Sequence, residues 1–457
     1  METEQITQEQ DERQEKKRSK RPRKERAPMP EAEKRLLRRI FIPIICVVLA
    51  VGVFFAGFGV HALTVDKELL MLLKIKNKIQ SEYYQEITDK QFYDTLLTAI
   101  NEDLLDPYSE YMTADEYAAT RYSAEGNQSG LGLVFKTSDQ KMLVSRVAGN
   151  SPAEEAGLLA GDYLQAFGKT DEELVYSTLF DDFSAFLQGF KAGEAFVVQV
   201  DRGGETKTFT LAKKTYVEGY VFYRTANSSY RFTGAKALSF TVGGAPLAAL
   251  PEDTAYIRLT HFNGEADIQF DTAMDKFKAD KKKHLILDLR GNGGGYMSIL
   301  QSIAQYFCKS SDKLFPVVSI ADYGERTESF KAKGNKYKEY FKTDSRVCVL
   351  ADDSSASASE VLLGCMLDYG ATAYADVCLF ERDGVAKTYG KGIMQTTFPF
   401  GIGKVDAIKL TTATLRWPVS GTCIHGRGIL PQDGVQVGGE NILDDKEIEE
   451  AIQIFFN

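Results

Sequence analysis

The sequence predicts an α/β protein of several domains, with a cytoplasmic tail, one transmembrane helix, a helical neck and two globular domains. The chain has 457 residues, which exceeds the usual size of a single compact domain. Residues 40–60 carry no charged side chain, and strands alternate with amphipathic helices after residue 216. The predicted boundaries are 1–39 for the tail, 40–63 for the anchor, 64–119 for the neck, 120–215 for the first globular domain and 216–457 for the second.

The predicted anchor is a run long enough to cross the hydrocarbon of a bilayer as a helix. Lys34, Arg35, Arg38 and Arg39 precede it, so the positive-inside rule keeps the tail cytoplasmic and places the rest of the chain outside the cytoplasm. A cleaved signal peptide is the alternative, because residues 60–62 (Val-His-Ala) resemble a cleavage site. The length of the apolar run favours a single-pass anchor in the cell membrane.

Charge and cysteine content exclude some functions. Nine Lys or Arg lie between residues 13 and 26, but the net charge is −9, so this run fits a solvated tail better than a nucleic-acid site. Five cysteines follow the predicted anchor, mostly in apolar runs, which favours buried thiols over a disulfide framework. No metal or cofactor is expected.

Helical periodicity covers residues 66–119 and ends near Pro107. Short strands are predicted next, at residues 131–136, 142–147, 195–201 and 207–211. A short helix is predicted to begin after Ser151 and to stop near Gly161, and a second one to cover residues 179–190. The second globular domain begins with a β-hairpin predicted within residues 217–250. Strands at 255–259, 284–289, 347–350 and 407–412 then alternate with helices at 268–277, 296–307 and 357–369.

Four separated motifs resemble those of one family, the carboxyl-terminal processing (tail-specific) serine proteases. They are residues 106–111 (Asp-Pro-Tyr-Ser-Glu-Tyr), 151–162 (beginning Ser-Pro-Ala-Glu-Glu-Ala-Gly), 285–295 (ending Arg-Gly-Asn-Gly-Gly-Gly) and 355–360 (Ser-Ala-Ser-Ala-Ser-Glu). The motif order also matches, and Tyr-Gly-Lys-Gly follows at residues 389–392. The resemblance covers residues 66–440. It implies a PDZ domain at 120–215 and a catalytic domain of the ClpP/crotonase-like fold at 216–457.

The resemblance also implies a catalytic set. The nucleophile falls on Ser357, the general base on Lys391, and an orienting glutamine on Gln395. The stretch from Ser357 to Lys391 is longer than the family's usual spacing, with residues 379–387 as an apparent insertion. Such a loop need not displace Lys391 if its two ends stay close, because loop-closure entropy grows slowly with length.

The chemistry of these residues is consistent with those roles. A serine hydroxyl needs a base, and none of the 4 histidines is convincingly placed. A lysine can serve if burial lowers the pKa of its amine, and Lys391 has glycines on both sides that allow close approach. By itself, Ser357 with Glu360 also reads as an ordinary capping box, and Ser354, Ser355 and Ser359 are neighbouring alternatives.

Two backbone donors are expected to stabilise the oxyanion of a tetrahedral intermediate. The first is the amide of Ala358, directly after the nucleophile. The second should come from the glycine run after the strand at 285–289, at Gly294 or Gly295. A phosphate-binding loop is the competing interpretation of the glycines, but no Gly-Lys-Ser/Thr sequence follows them.

Residues Gly130, Leu131, Gly132 and Leu133 resemble the carboxylate-binding loop of a PDZ domain. A hairpin glycine pair is the simpler explanation of so short a motif, but residues 151–162 beside it favour the PDZ domain. The expected partners are therefore polypeptides with accessible C-termini and the membrane, with no nucleic acid, and with homo-oligomerisation left open.

The predicted function is a membrane-anchored serine endopeptidase that captures C-terminal tails. The alternative is a proteolytically inactive PDZ receptor or scaffold at the membrane. A crotonase-type acyl-CoA enzyme would share the fold of the second domain, but it would not explain the anchor or the PDZ segment.

Overall fold

The computed structural model describes residues 49, 66–138, 141–239, 246–310, 315–401, 405–431, 434–439 and 444–456. The predicted tail and, apart from Leu49, the predicted anchor lie outside these residues. None of the helices within the described ranges is both long and apolar enough to cross a membrane.

The helices and strands of the described residues follow in chain order. The α-helices are α1 (Lys67–Glu82), α2 (Asp89–Ala99), α3 (Ala114–Ala124), α4 (Pro152–Ala156), α5 (Phe180–Gln188), α6 (Ala266–Ala279), α7 (Met297–Ala304), α8 (Tyr337–Tyr340), α9 (Ala358–Tyr369) and α10 (Asp444–Phe456). A π-helical turn, Ile100–Leu104, follows α2, and a 3₁₀ turn covers Tyr374–Asp376.

The strands are β1 (Glu110–Met112), β2 (Asn127–Gly130), β3 (Leu133–Ser138), β4 (Lys141–Val147), β5 (Tyr163–Gly168), β6 (Val175–Tyr176), β7 (Ala195–Arg202), β8 (Glu205–Ala212), β9 (Lys214–Val217), β10 (Val221–Arg224), β11 (Ser229–Thr233), β12 (Lys236–Ser239), β13 (Thr254–Leu259), β14 (His284–Asp288), β15 (Val317–Asp322), β16 (Thr327–Lys331), β17 (Val347–Ala351), β18 (Val377–Arg382), β19 (Val385–Ala386), β20 (Ile393–Phe400), β21 (Asp406–Arg416) and β22 (Gln436–Gly438).

The chain divides into two compact units, one ending at Leu96 and the other beginning at Leu97. In the first unit, the side chain of Asp66 accepts a hydrogen bond from the backbone of Glu68 and caps α1. Lys76 of α1 pairs with Asp89 at the start of α2, with 2.8 Å between the amine and the carboxylate. Helices therefore form at the start of the predicted neck.

Within the second unit, residues 127–217 form a small β domain. Its sheet has the order β3-β4-β5-β7-β8, with β6 beside β5, and β2 and β9 form a separate two-stranded sheet. Ser151 caps α4 and Pro152 occupies its first turn, as the motif predicts. Gly157 ends the helix in the left-handed conformation, earlier than the predicted end near Gly161. Apolar side chains of the strands, α4 and α5 form one core.

The rest of the second unit is built around a mixed sheet. Strands β13, β14, β17, β18 and β22 run parallel, while β10, β11 and β12 extend the sheet antiparallel and supply the hairpin predicted within 217–250. The predicted strand and helix alternation is thus confirmed: α6 follows β13, α7 follows β14 and α9 follows β17. Both turns that carry candidate site residues lie where parallel strands end.

A second sheet, with the order β1-β21-β15-β16 and β20 beside β21, completes this part. Strand β1 comes from residues that the sequence analysis assigned to the neck. The end of that segment therefore belongs to this second sheet. The extra residues predicted at 379–387 fold as the β18–β19 hairpin, which turns at Asp383 and Gly384 with positive φ angles. The insertion therefore closes on itself before Thr388.

The small β domain is joined to the mixed sheet by direct contacts. Gly149 bridges Gly219, and the buried carboxylate of Glu154 in α4 pairs with Arg231 of β11. The side-chain amide of Asn150 donates to the carbonyl of Phe232 at 3.2 Å. The motif at 151–162 thus also holds the two globular parts together.

Candidate functional site

Ser357 stands in a strained turn between β17 and α9. Its φ and ψ angles are 56° and −115°, a backbone region that residues other than glycine rarely adopt. The neighbouring Ser355 and Ser359 are buried, and their hydroxyls donate to the carbonyl oxygens of Leu289 and Asn292, both at 2.8 Å. The hydroxyl of Ser357 has no such bond among the described residues, so the geometry favours it over these two alternatives.

The glycine turn after β14 packs directly against Ser357. A Cβ atom on Gly294 would lie 2.8 Å from Cβ of Ser357 and 2.9 Å from the amide nitrogen of Ala358, so only glycine fits there. Gly294 N–H already donates to Oδ1 of Asn292 at 2.9 Å. This corrects one expectation: Gly294 provides close approach, and its amide is committed within its own turn.

Gly295 and Ala358 remain as the oxyanion donors to test. Gly295 has φ +145°, and a Cβ there would meet the carbonyl oxygen of Phe262 at 2.4 Å. Ala358 is the first residue of α9, where an amide has no partner within the helix. Among the described residues, neither amide donates a backbone hydrogen bond outside the regular elements.

Lys391 is half-buried and lies in a loop that requires its flanking glycines. A Cβ on Gly390 would be 2.8 Å from the amide nitrogen of Gly428, and one on Gly392 would be 2.7 Å from that of His425. The Lys391 amine lies 4.6 Å from the ring centroid of Tyr108, whose hydroxyl is bonded to that of Tyr389. The motif at 106–111 therefore forms one side of the lysine's environment.

The pKa of Lys391 is lowered from its ordinary value. Burial is the main cause, and the positive charge of Lys409 lowers it further, while Asp106 opposes the shift. A lowered pKa is what a lysine needs to act as a base near neutral pH. Sequence reasoning expected burial but gave no indication of Lys409 or Asp106.

The side chain of Gln395 is hydrogen-bonded to a residue other than Lys391. Its side-chain amide donates to Oγ1 of Thr411 at 3.3 Å, beside a register shift between Met394 and Gln395. Neither Gln395 nor Ser357 is hydrogen-bonded to the Lys391 amine among the described residues. The expected orienting contact is therefore not present in this conformation.

Glu360 joins the two candidate catalytic residues. Its buried carboxylate accepts the N–H groups of Ser357 and Lys391 on Oε2, at 3.0 and 2.9 Å. Oε1 accepts the hydroxyl of Thr388 at 2.6 Å and the N–H of Gly390 at 2.8 Å. Burial raises the pKa of Glu360, and these four donors oppose that rise. One side chain thus brings the serine turn and the lysine loop together.

Replacing Glu360 with glutamine should lower kcat by about 10- to 1,000-fold. The substitution would misplace the general base, and much of the rate enhancement from general-base catalysis would then be lost. The amide nitrogen of glutamine cannot accept the donors that one carboxylate oxygen now holds. Each buried donor left without a partner lowers the free energy of unfolding by about 1–3 kcal/mol, so the melting temperature should also fall. Glu116→Gln is the matched control, because Glu116 occupies the same capping position on Thr113 but is exposed. Equal kinetics in Glu360→Gln and wild type would contradict the positioning role.

A buried network of charged side chains supports the glycine turn after β14 and the turn that carries Ser357. Asp352 accepts the N–H of Gly291 at 2.9 Å and is paired with Arg382 at 3.2 Å. Arg382 and Arg290 share Glu447 of α10. Burial raises the pKa of Asp288, but the charge and hydrogen bonds of Arg290 outweigh it and lower that pKa to about 2. The C-terminal helix and the inserted hairpin are thereby tied to the glycine turn.

In the small β domain, residues 130–133 form the predicted loop. Gly130 and Gly132 have φ angles of 140° and 78°. The carbonyls of Leu131 and Gly132 accept the amides of Ala153 and Ala148, while their own N–H groups have no backbone partner among the described residues. The loop therefore presents free amides, as carboxylate recognition requires.

The loop opens on a cavity of about 480 Å³. The cavity follows β3, which is an edge strand, and its other side is formed by α5 and by residues just before β10 and just after β13 of the mixed sheet. No group of three His, Cys, Asp or Glu side chains within the described ranges is arranged to hold a metal ion. The chemistry available at these sites is that of hydroxyl, amine, carboxylate and backbone groups.

Comparison with known proteins agrees with this architecture. Residues 253–435 match peptidase family S41, and residues 129–212 match the PDZ domain. A CtpA-like serine protease of Staphylococcus haemolyticus is 28% identical over 356 residues, covering 77% of this chain and 62% of that protein. One from Staphylococcus epidermidis is 27% identical over 355 residues, with the same shares. The chain thus spans somewhat less than two thirds of the length of these relatives.

A solved structure from Bacteroides fragilis, described as an S41 protease, has the same fold. Its TM-score is 0.52 at 16% identity, over 82% of this chain and 90% of that one. The same class of protein is indicated by the family matches, by the shared fold and by the order of the motifs. The chain therefore contains a region that matches peptidase family S41 and a PDZ domain, and it is similar to CtpA-like serine proteases.

Proposed function

We propose that this chain is a membrane-anchored serine endopeptidase that recognises C-terminal tails through its PDZ domain and cleaves them with a Ser357–Lys391 pair. The observation that carries the proposal is the shared acceptor on Glu360, which holds the backbone of both residues. The anchor rests on the uncharged run at 40–60 and its basic flank. The catalytic part would act outside the cytoplasm.

In the proposed mechanism the neutral amine of Lys391 takes the proton of the Ser357 hydroxyl as its oxygen attacks the scissile carbonyl. The N–H groups of Ala358 and Gly295 stabilise the oxyanion. Lys391 then gives its proton to the leaving amine, and a water molecule hydrolyses the acyl-enzyme by the reverse sequence. Gln395 would have to leave Thr411 to reach the amine.

Two substitutions near Lys391 should move the pH dependence in opposite directions. Activity requires the neutral amine, so kcat/KM should rise with pH through the pKa of Lys391. Lys409→Gln removes a charge that lowers this pKa and should shift the rise to higher pH. Asp106→Asn removes a charge that raises it and should shift the rise to lower pH. Measured pH–rate profiles that move together, or not at all, would contradict Lys391 as the base.

Tail recognition predicts that a free C-terminus matters. Hydrogen bonds to a charged group contribute about 1.5–3 kcal/mol, so amidating a peptide should weaken its binding about 10- to 100-fold. Gly132→Val should abolish this discrimination, because a Cβ there would lie 2.1 Å from Cβ of Ser151 at a φ of +78°. Cleavage of short peptides that bind at Ser357 directly should fall less.

The matched control for Gly132→Val is Gly193→Val. Gly193 has φ +84° in the same domain, but no atom lies within 4 Å of a Cβ placed there. It therefore carries the same backbone strain without obstructing the loop. Equal binding of free and amidated peptides by the wild-type chain would contradict tail recognition. Equal loss on all substrates in Gly132→Val would indicate that the PDZ domain gates the catalytic site.

A further inference from the structure

The cavity beside the PDZ loop has two chemically different walls. Strand β3 is the edge of its sheet, so an extended peptide can pair with its free backbone groups. Successive side chains of such a peptide point to opposite sides. The two walls therefore contact alternate residues of a bound tail.

One wall is apolar and belongs to the PDZ domain. The ring of Phe135 in β3 lies 5.8 Å from that of Phe183 and 6.4 Å from that of Phe180, both in α5. Leu131 and Leu187 continue this surface. A terminal apolar side chain would enter here when the loop amides hold its carboxylate.

The other wall is polar, and the catalytic domain supplies part of it. Val134 points away from Phe135 and is paired across the ladder with Arg146. Arg146 is bonded to the buried carboxylate of Glu218 at 2.6 Å. Tyr220, His261 and Asn263 complete the wall.

Two buried polar atoms of this wall are incompletely paired. Nδ1 of His261 has no hydrogen-bond partner among the described residues, and the hydroxyl of Tyr220 interacts only weakly with the side chain of Gln128, which lines the same cavity. Burial, together with Arg146 and Arg258, lowers the pKa of His261 to about 4, so the imidazole is neutral near pH 7. A buried polar group without a partner is unfavourable, and a ligand that pairs with it gains affinity.

We infer that this wall selects the penultimate residue of a substrate tail, favouring a neutral hydrogen-bonding side chain such as Thr, Ser, Asn or Gln. The inference rests on the proposed tail recognition. When the last side chain occupies the apolar wall, the one before it faces Tyr220 and His261. The Arg146–Glu218 pair is already neutralised, so the wall gives no advantage to a charged side chain.

The test compares two peptides that differ only in the penultimate residue, Thr or Val, because these side chains have nearly the same shape. Both end in leucine with a free carboxylate, and both are measured by fluorescence anisotropy on the full chain carrying Ser357→Ala, which prevents cleavage. The threonine peptide should bind about 3- to 10-fold more tightly, as one added hydrogen bond predicts. Tyr220→Phe or His261→Phe should remove most of this preference.

Tyr223→Phe is the matched control, because Tyr223 is also buried but donates to Asp280, outside the cavity. It should keep the preference for threonine. If the Ser357→Ala chain with Tyr220 and His261 unchanged binds the threonine and valine peptides equally tightly, the inference is overturned while tail recognition stands. A preference that survives both Tyr220→Phe and His261→Phe also overturns it. If neither peptide binds more tightly than its amidated form, the proposed tail recognition itself fails.

Discussion

Ser357→Ala is expected to lower peptide hydrolysis by on the order of 10⁴- to 10⁶-fold, the loss that follows removal of a serine nucleophile. The deleted hydroxyl donates no hydrogen bond among the described residues, and the Glu360 carboxylate still accepts the N–H of residue 357 after the change, so the fold should persist. The measurement is kcat/KM on an unstructured protein substrate, with circular dichroism to check folding.

Ser359→Ala is the control for Ser357→Ala. The Ser359 hydroxyl is buried and donates to Asn292, so its loss should affect stability more than chemistry. Undiminished activity in Ser357→Ala would refute the nucleophile and direct attention to Ser354, whose side chain is exposed.

Lys391→Arg is expected to lower kcat by on the order of 10³-fold or more, although the positive charge is kept. An arginine stays protonated at accessible pH and cannot accept the serine proton, whereas general-base catalysis contributes about 10²- to 10⁴-fold. The kinetics should be measured with the substrate used for Ser357→Ala.

Lys387→Arg is the matched control, because Lys387 precedes the same loop and its amine makes no hydrogen bond among the described residues. It should retain wild-type kinetics. An active Lys391→Arg enzyme would mean that Lys391 acts through its charge and that another group takes the proton.

The sequence predicted roughly where the strands and helices that it named lie, because their signals are local, whereas strands β5, β15, β16, β18 and β20 were not predicted. Ser151, Pro152 and Gly157 each fit a position of one helix, and glycines mark the turns on either side of Lys391. The inserted hairpin was also compatible with the lysine position, since Asp383 and Gly384 close it tightly. These features depend on residues near one another in the chain.

The candidate site was less accessible to sequence reasoning. Glu360 reads locally as a cap of α9, and only the fold shows that it also accepts the backbone of Lys391, 31 residues away. Tyr108 reads as the end of the neck, but β1 carries that segment to the lysine. Gly294 belongs to the glycine motif, but the sequence could not show whether its amide is free to act as an oxyanion donor. The structure shows that this amide donates to Asn292.

The proposed function requires that this chain hydrolyses peptide bonds and does not merely bind tails. The most direct test incubates the purified full chain with an unstructured protein that has a free C-terminus and identifies the products by mass spectrometry. We expect cleavage at internal peptide bonds by the wild-type chain and an intact substrate with Ser357→Ala. A wild-type chain that binds the free tail but leaves the substrate uncut would contradict it and favour a PDZ receptor or scaffold.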